Sequence, residues 1–191
     1  MEAENFQPQG PGWKVVKNGE GNYMVDIIGF NHIMGERVLS APANAKDAKA
    51  VATVQIPEAG EYRVWSRFET PTGTEERFKI EIRQGGKLVG SAVMGEKDGP
   101  KFWYGGKNAE GKLQAVGQYN TSWGSEGLAE QFFDVKGLQA GPAEITLIAV
   151  EQPEPSANRN VDFIFLTRDV KDGWRERYPG NGFYPIMDAA M

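Results

Sequence analysis

The side chains able to do chemistry in this chain are few, and most are oxygen donors. Glu2 and Glu4 stand two residues apart at the start, and Asp162 lies in the closing run VDFIFLT. On an extended strand, residues i and i+2 share a face. If the first and last strands are neighbours, the three carboxylates converge, and ionised carboxylates do not crowd together without a cation. Calcium, a hard ion taking about 6–8 oxygen ligands, is the natural partner. The competing reading is a pair of solvated glutamates at a frayed terminus. Asn160 precedes Asp162 by two residues and shares its face, nearer the loop end. Its amide both donates and accepts hydrogen bonds, which suits a hydroxyl-rich ligand, while capping a turn is the plainer role.

The segment Gly95–Gly127 is polar and glycine-rich, yet it carries Phe102, Trp103, Tyr104, Tyr119 and Trp123. Trp103 and Tyr104 in KFWYGG, and Trp123 in NTSWGSEG, are candidate apolar plates with polar edges, the complement of the C–H face of a sugar ring. Flanking glycines let such a ring project from the backbone. The alternative is that these rings pack the loop onto the body of the protein, because large aromatics are usually mostly buried.

Other chemistries are excluded or unsupported. The chain has 191 residues, no cysteine and one histidine. Disulfides, thiolate zinc sites, iron–sulfur clusters and thiol nucleophiles are ruled out, as is a two-histidine metal site. His32, in GFNHIMGER, reads as a structural or solvated loop residue. No nucleophile elbow, P-loop or dinucleotide fingerprint is present. Glu126 and Glu130 lie near the aromatic loop, but nothing marks them as a glycosidase pair held across a cleft. The net charge of −5 argues against a general nucleic-acid binder. No apolar run is long enough for a membrane helix. Arg63, Arg67, Lys79 and Arg83 fall on the polar faces of strand-like segments. If those strands pair, they form a basic stripe around Trp65; the plainer reading is a solvated face balanced by Glu61 and Glu81.

The elements that must position these residues are strands. In RFKIEIRQ, Phe78, Ile80 and Ile82 alternate with Arg77, Lys79, Glu81 and Arg83, the period-two signature of a half-buried strand. EYRVWSRF puts Tyr62, Val64, Ser66 and Phe68 on one face and Arg63, Trp65 and Arg67 on the other. Ala50–Ile56 precedes a PEAG turn, and Gln84-Gly85-Gly86-Lys87 is a two-glycine hairpin leading to Leu88–Met94. Further strands are expected at Gln131–Val135, Glu144–Val150 and Val161–Thr167. Shorter extended pieces are expected at Ala3–Phe6, Val15–Val16, Tyr23–Ile28 and Arg37–Leu39. Roughly ten short strands, regular turns and 24 glycines with 11 prolines predict an all-β, two-sheet antiparallel β-sandwich. Residues 1–170 form this domain, and 171–191 read as a C-terminal tail or linker.

EAENF at the start, PEAGEYRVWSRF in the middle and NVDFIFLT at the end resemble the carbohydrate-binding modules of families 6 and 35, which have a galactose-binding-like jelly roll. The resemblance spans about Glu2–Arg168 and is weak or absent across Gly95–Gly127. It implies a structural calcium ion on Glu2, Glu4 and Asp162, and an Asn160 that hydrogen-bonds sugar hydroxyls at the rim. Such modules also carry an early binding aromatic, for which Trp13 or Tyr23 is available in a poorly matching context. The expectation is a non-catalytic, monomeric polysaccharide-binding module of a larger secreted, periplasmic or surface protein. It is expected neither to bind nucleic acid nor to insert into membranes. A jelly-roll lyase or hydrolase using His32 or a tyrosine as base is the first rival. An adhesion domain with Trp103, Tyr104 and Trp123 buried is the second.

Overall fold

A computed structural model describes residues 1–17, 20, 37–70, 74–97, 102–103 and 127–168. The chain order is a 3-10 turn at Ala3–Asn5, then β1 (Gln7–Gln9), β2 (Lys14–Lys17), β3 (Arg37–Ala41), β4 (Lys49–Ile56), β5 (Gly60–Thr70), β6 (Phe78–Gln84), β7 (Lys87–Met94), β8 (Phe102–Trp103), β9 (Gly127–Leu138), β10 (Gly141–Ala149) and β11 (Arg159–Thr167). They form a five-stranded sheet ordered β1-β4-β10-β6-β7 and a six-stranded sheet ordered β2-β3-β11-β5-β9-β8. Every ladder is antiparallel. This is the expected all-β sandwich. The expected strand at Tyr23–Ile28 and the 171–191 tail lie outside the described residues.

The alternation that marks the strands also builds the core. Phe78, Ile80 and Ile82 of β6 and Ile145 and Leu147 of β10 meet Tyr62, Val64 and Phe68 of β5 and Val161 and Ile164 of β11 between the sheets. Gly85 and Gly86 both have positive φ, 57° and 77°, and join β6 to β7 as the sequence predicts.

Two local readings are corrected. Ala3–Asn5 is not extended, because Asn5 N–H returns to Glu2 O and Phe6 N–H to Ala3 O, closing the 3-10 turn. PEAG is the expected turn between two strands, and it carries the chain from β4 in one sheet to β5 in the other. The basic stripe does not form, because Arg63 and Arg67 lie on β5 and Lys79 and Arg83 on β6, in different sheets. Each set has its own acids. Arg63 Nε lies 2.8 Å from Asp134 Oδ1, and Lys79 Nζ and Arg83 Nη2 lie 2.6 and 3.1 Å from Glu81.

Gly95 is required by its surroundings. Gly95 has φ 77°, and a Cβ there would lie 2.5 Å from the Glu76 carbonyl oxygen. Its own N–H donates to Gln131 Oε1 at 2.7 Å. Gly95→Ala forces backbone to move in a left-handed conformation and is expected to cost about 1–3 kcal/mol. Urea denaturation checks this; an unchanged midpoint would show that the close approach is not maintained in solution.

Candidate functional site

Of the candidate residues, Glu2, Glu4, Asn160 and Asp162 collect at β11, a central strand that meets both β3 and β5. Val161 stands opposite Phe68 and Phe163 opposite Arg67, so Asp162 is the extra residue of a bulge. A bulge interrupts the period of two. Val161 and Ile164 enter the inter-sheet core, while Phe163 joins Trp65, Phe132 and Phe165 in a second cluster on the outer side of the six-stranded sheet.

That outer side is a buried polar and aromatic layer. Trp65 stacks obliquely on Phe132 with ring centroids 4.7 Å apart. Arg63 sits 3.8 Å above the Phe132 ring, and Arg67 lies 5.7 Å from the Phe163 centroid. Asp162 is 0% exposed and Arg67 2% exposed, and Asp162 Oδ2 lies 3.4 Å from Arg67 Nε. Buried charges of this kind persist because each compensates the other's lost hydration. Asn160, opposite Ser40, donates its amide to Glu69 Oε2, and its Oδ1 meets no hydrogen-bond partner among the described residues. It is 5% exposed, more enclosed than its place near a strand end suggests.

The two ends of the domain meet. Glu2 forms an antiparallel bridge with Phe163, and Ile164 N–H donates to Met1 O at 3.0 Å. Glu2 and Glu4 interact, and burial raises the Glu4 carboxyl from the ordinary 4.5 to about 7; the hydrogen bond that protonated Glu4 donates to Glu2 and the Glu2 charge add to the rise, while a backbone hydrogen bond and Arg37 oppose it. Glu4 Oε2 is buried without a hydrogen-bond partner. An orphaned carboxylate oxygen beside a second carboxylate is what a hard cation would satisfy, so this pair fits calcium. Asp162 fits it less well, since its charge is met by Arg67. Among the described residues, no group of three or more His, Cys, Asp or Glu is arranged to hold a metal ion.

The other candidates fall as follows. Trp103 pairs through its backbone with Ala129; its side chain lies outside the described residues, as do Tyr104, Trp123, His32 and Tyr23. Trp13 is buried and donates its indole N–H to Ala48 O at 3.0 Å, so it packs the sandwich.

Two features escaped sequence reasoning. Arg159, 1% exposed, donates to the carbonyls of Pro42 at 2.6 Å, Ala43 at 3.3 Å, Arg77 and Val150. It thereby ties the ends of β3 and β10 to the start of β6. Burial lowers its pKa to about 10, and it remains charged at neutral pH. The second feature is a shallow groove of about 390 Å³ lined by Met1, Asn5, Gln7, Gln9, Val51, Ala52 and Thr53. The pattern N-x-Q-x-Q was legible as a period-two row of amides, but only the β1–β4 pairing puts a groove beside it.

No protein-family model matches the chain, and no curated protein does. Solved structures do. A family 35 carbohydrate binding module from Clostridium thermocellum matches with a TM-score of 0.51 at 17% identity, over 87% of this chain and 96% of that one. An isomalto-dextranase of Arthrobacter globiformis T6, complexed with panose, matches with a TM-score of 0.50 at 15% identity, over 87% of this chain but 22% of the enzyme. A CBM36 module in complex with calcium and xylotriose has a TM-score of 0.46 at 14% identity, over 87% of this chain and 98% of that one. The fold is the jelly roll of carbohydrate-binding modules.

Proposed function

We propose that this chain is a non-catalytic module that binds polysaccharide, carried by a larger secreted or cell-surface protein and acting as a monomer. The observation supporting this is that the sandwich matches a family 35 carbohydrate binding module over 96% of that module's length. Fold is not function by itself. The residue chemistry adds one support, the aromatic plates at Trp103, Tyr104 and Trp123 for sugar faces; Asn160, whose amide N–H goes to Glu69, reaches a hydroxyl only if it gives up that bond. Glu2 and Glu4 hold a calcium ion that fixes the N-terminal segment against β11, with Asp162 as a third ligand only if it leaves Arg67. Residues 1–170 are the module and 171–191 a C-terminal tail or linker.

A shallow site with one or two aromatic plates binds a saccharide with a dissociation constant of roughly 10 µM–1 mM. Titrating the protein with a panel of neutral and acidic oligosaccharides measures this. Trp103→Ala and Trp123→Ala are each substitutions of a candidate plate. At least one is expected to weaken binding about tenfold or more while leaving the melting temperature within a few degrees. New reducing or unsaturated ends in the same incubations, lost in His32→Ala, would instead make the chain an enzyme. Absence of binding to every glycan, with all indoles shielded from iodide quenching, would favour an adhesion domain.

A further inference from the structure

Asp162 is a fully buried carboxylate, and such a group needs a positive partner. Among the described residues, two candidates adjoin its strand. One is an ion at Glu2 and Glu4, since Glu2 pairs with Phe163, the residue next to Asp162. The other is Arg67 on the adjacent strand β5, whose Nε already lies 3.4 Å from Asp162 Oδ2. Arg67 is itself buried and rests near the Phe163 ring, which keeps its guanidinium on this face. Calcium–oxygen distances are about 2.3–2.6 Å. An ion on the same carboxylate would therefore stand a few ångströms from a desolvated guanidinium, where repulsion is strong.

We propose that Arg67 takes the cation's place at Asp162, so that calcium at the N-terminus is held by Glu2 and Glu4 without the last-strand aspartate, and weakly for that reason. This rests on the calcium reading of Glu2 and Glu4. Arg67 competes with the metal for one carboxylate, and the fold at this end keeps a counter-charge whether or not an ion is bound.

The test is calorimetric titration of Ca²⁺ into the wild type, R67Q and the double variant R67Q/D162N, with melting temperatures in chelator and in excess Ca²⁺. R67Q removes the competing guanidinium from a third carboxylate and is expected to bind Ca²⁺ at least tenfold more tightly than the wild type, with a larger rise in melting temperature. The double variant is expected to return to within about twofold of the wild type. R67Q binding no more tightly than the wild type would overturn the proposal. If R67Q does not stay folded, the double variant decides. Wild-type affinity supports the proposal, and a tenfold loss overturns it, because Asp162 would then be a ligand in the native chain. A wild type that binds no Ca²⁺ beside an R67Q that does would sink the native calcium reading but support the competition. No binding by either would sink both.

Discussion

Arg159→Met is expected to destabilise the sandwich by about 3–5 kcal/mol. The guanidinium is buried and serves four backbone carbonyls, of Pro42, Ala43, Arg77 and Val150. Methionine fills much of the volume and leaves those oxygens without their donor. Each stranded buried polar group costs about 1–3 kcal/mol, moderated where water or backbone relaxation reaches it. Arg159→Lys keeps the charge but replaces a planar fork by a single ammonium that cannot span three segments, so it recovers only part of the loss. Urea denaturation at pH 7 measures both. A loss below about 1 kcal/mol in Arg159→Met would mean that the rim segments hold themselves.

In chelator, the melting temperature is expected to fall as pH rises from about 5 to 8. The folded chain holds the Glu4 carboxyl at about 7 against an ordinary 4.5. Between those values the folded state binds protons more tightly than the unfolded one, so raising the pH favours unfolding. The stabilisation is present at and below about pH 4.5, is lost as pH passes 7 and does not return. Glu4→Gln removes the titrating group and is expected to flatten this limb. Calcium requires the ionised ligand, so it is expected to raise the melting temperature more at pH 8 than at pH 5. Melting curves at several pH values, with chelator and with excess Ca²⁺, check each part. A wild-type profile that stays level or rises from pH 5 to 8 in chelator would show that Glu4 is not buried beside Glu2.

Much of the fold was legible because strands advertise themselves through alternation. β6 is the clearest case: Phe78, Ile80 and Ile82 enter the core while Lys79, Glu81 and Arg83 pair among themselves outside. β5 shows where alternation stops informing. Arg63, Trp65 and Arg67 read as a solvent face, yet all three are buried, as is Glu69 beyond them. Alternation separates one face from the other; it does not say whether the polar face meets water or a second layer. The layer is accommodated because Asp134 answers Arg63 and Asp162 answers Arg67, partners supplied by strands far away in sequence.

The site was less legible than the fold. Spacing put Asn160 and Asp162 on one face, and the Glu69 and Arg67 contacts agree with that. Spacing could not show that the bulge at Asp162 turns Phe163 to the same side, nor that an arginine from β5 would hold the aspartate. The spacing of Arg159, a charged residue at a strand end, points to no carbonyl cluster, because the three segments it serves, at Pro42–Ala43, Arg77 and Val150, are brought to it by the fold.

Period-two alternation, paired glycines at a hairpin and the absence of cysteine were enough to specify a sandwich without staples and to narrow its chemistry to oxygen donors and aromatic plates. These are local properties, set by backbone sterics and by which side chains exist. Which carboxylate meets which cation was decided only in three dimensions. Long-range pairing, one bulge and the cost of leaving a buried charge unanswered choose partners that no sequence interval records.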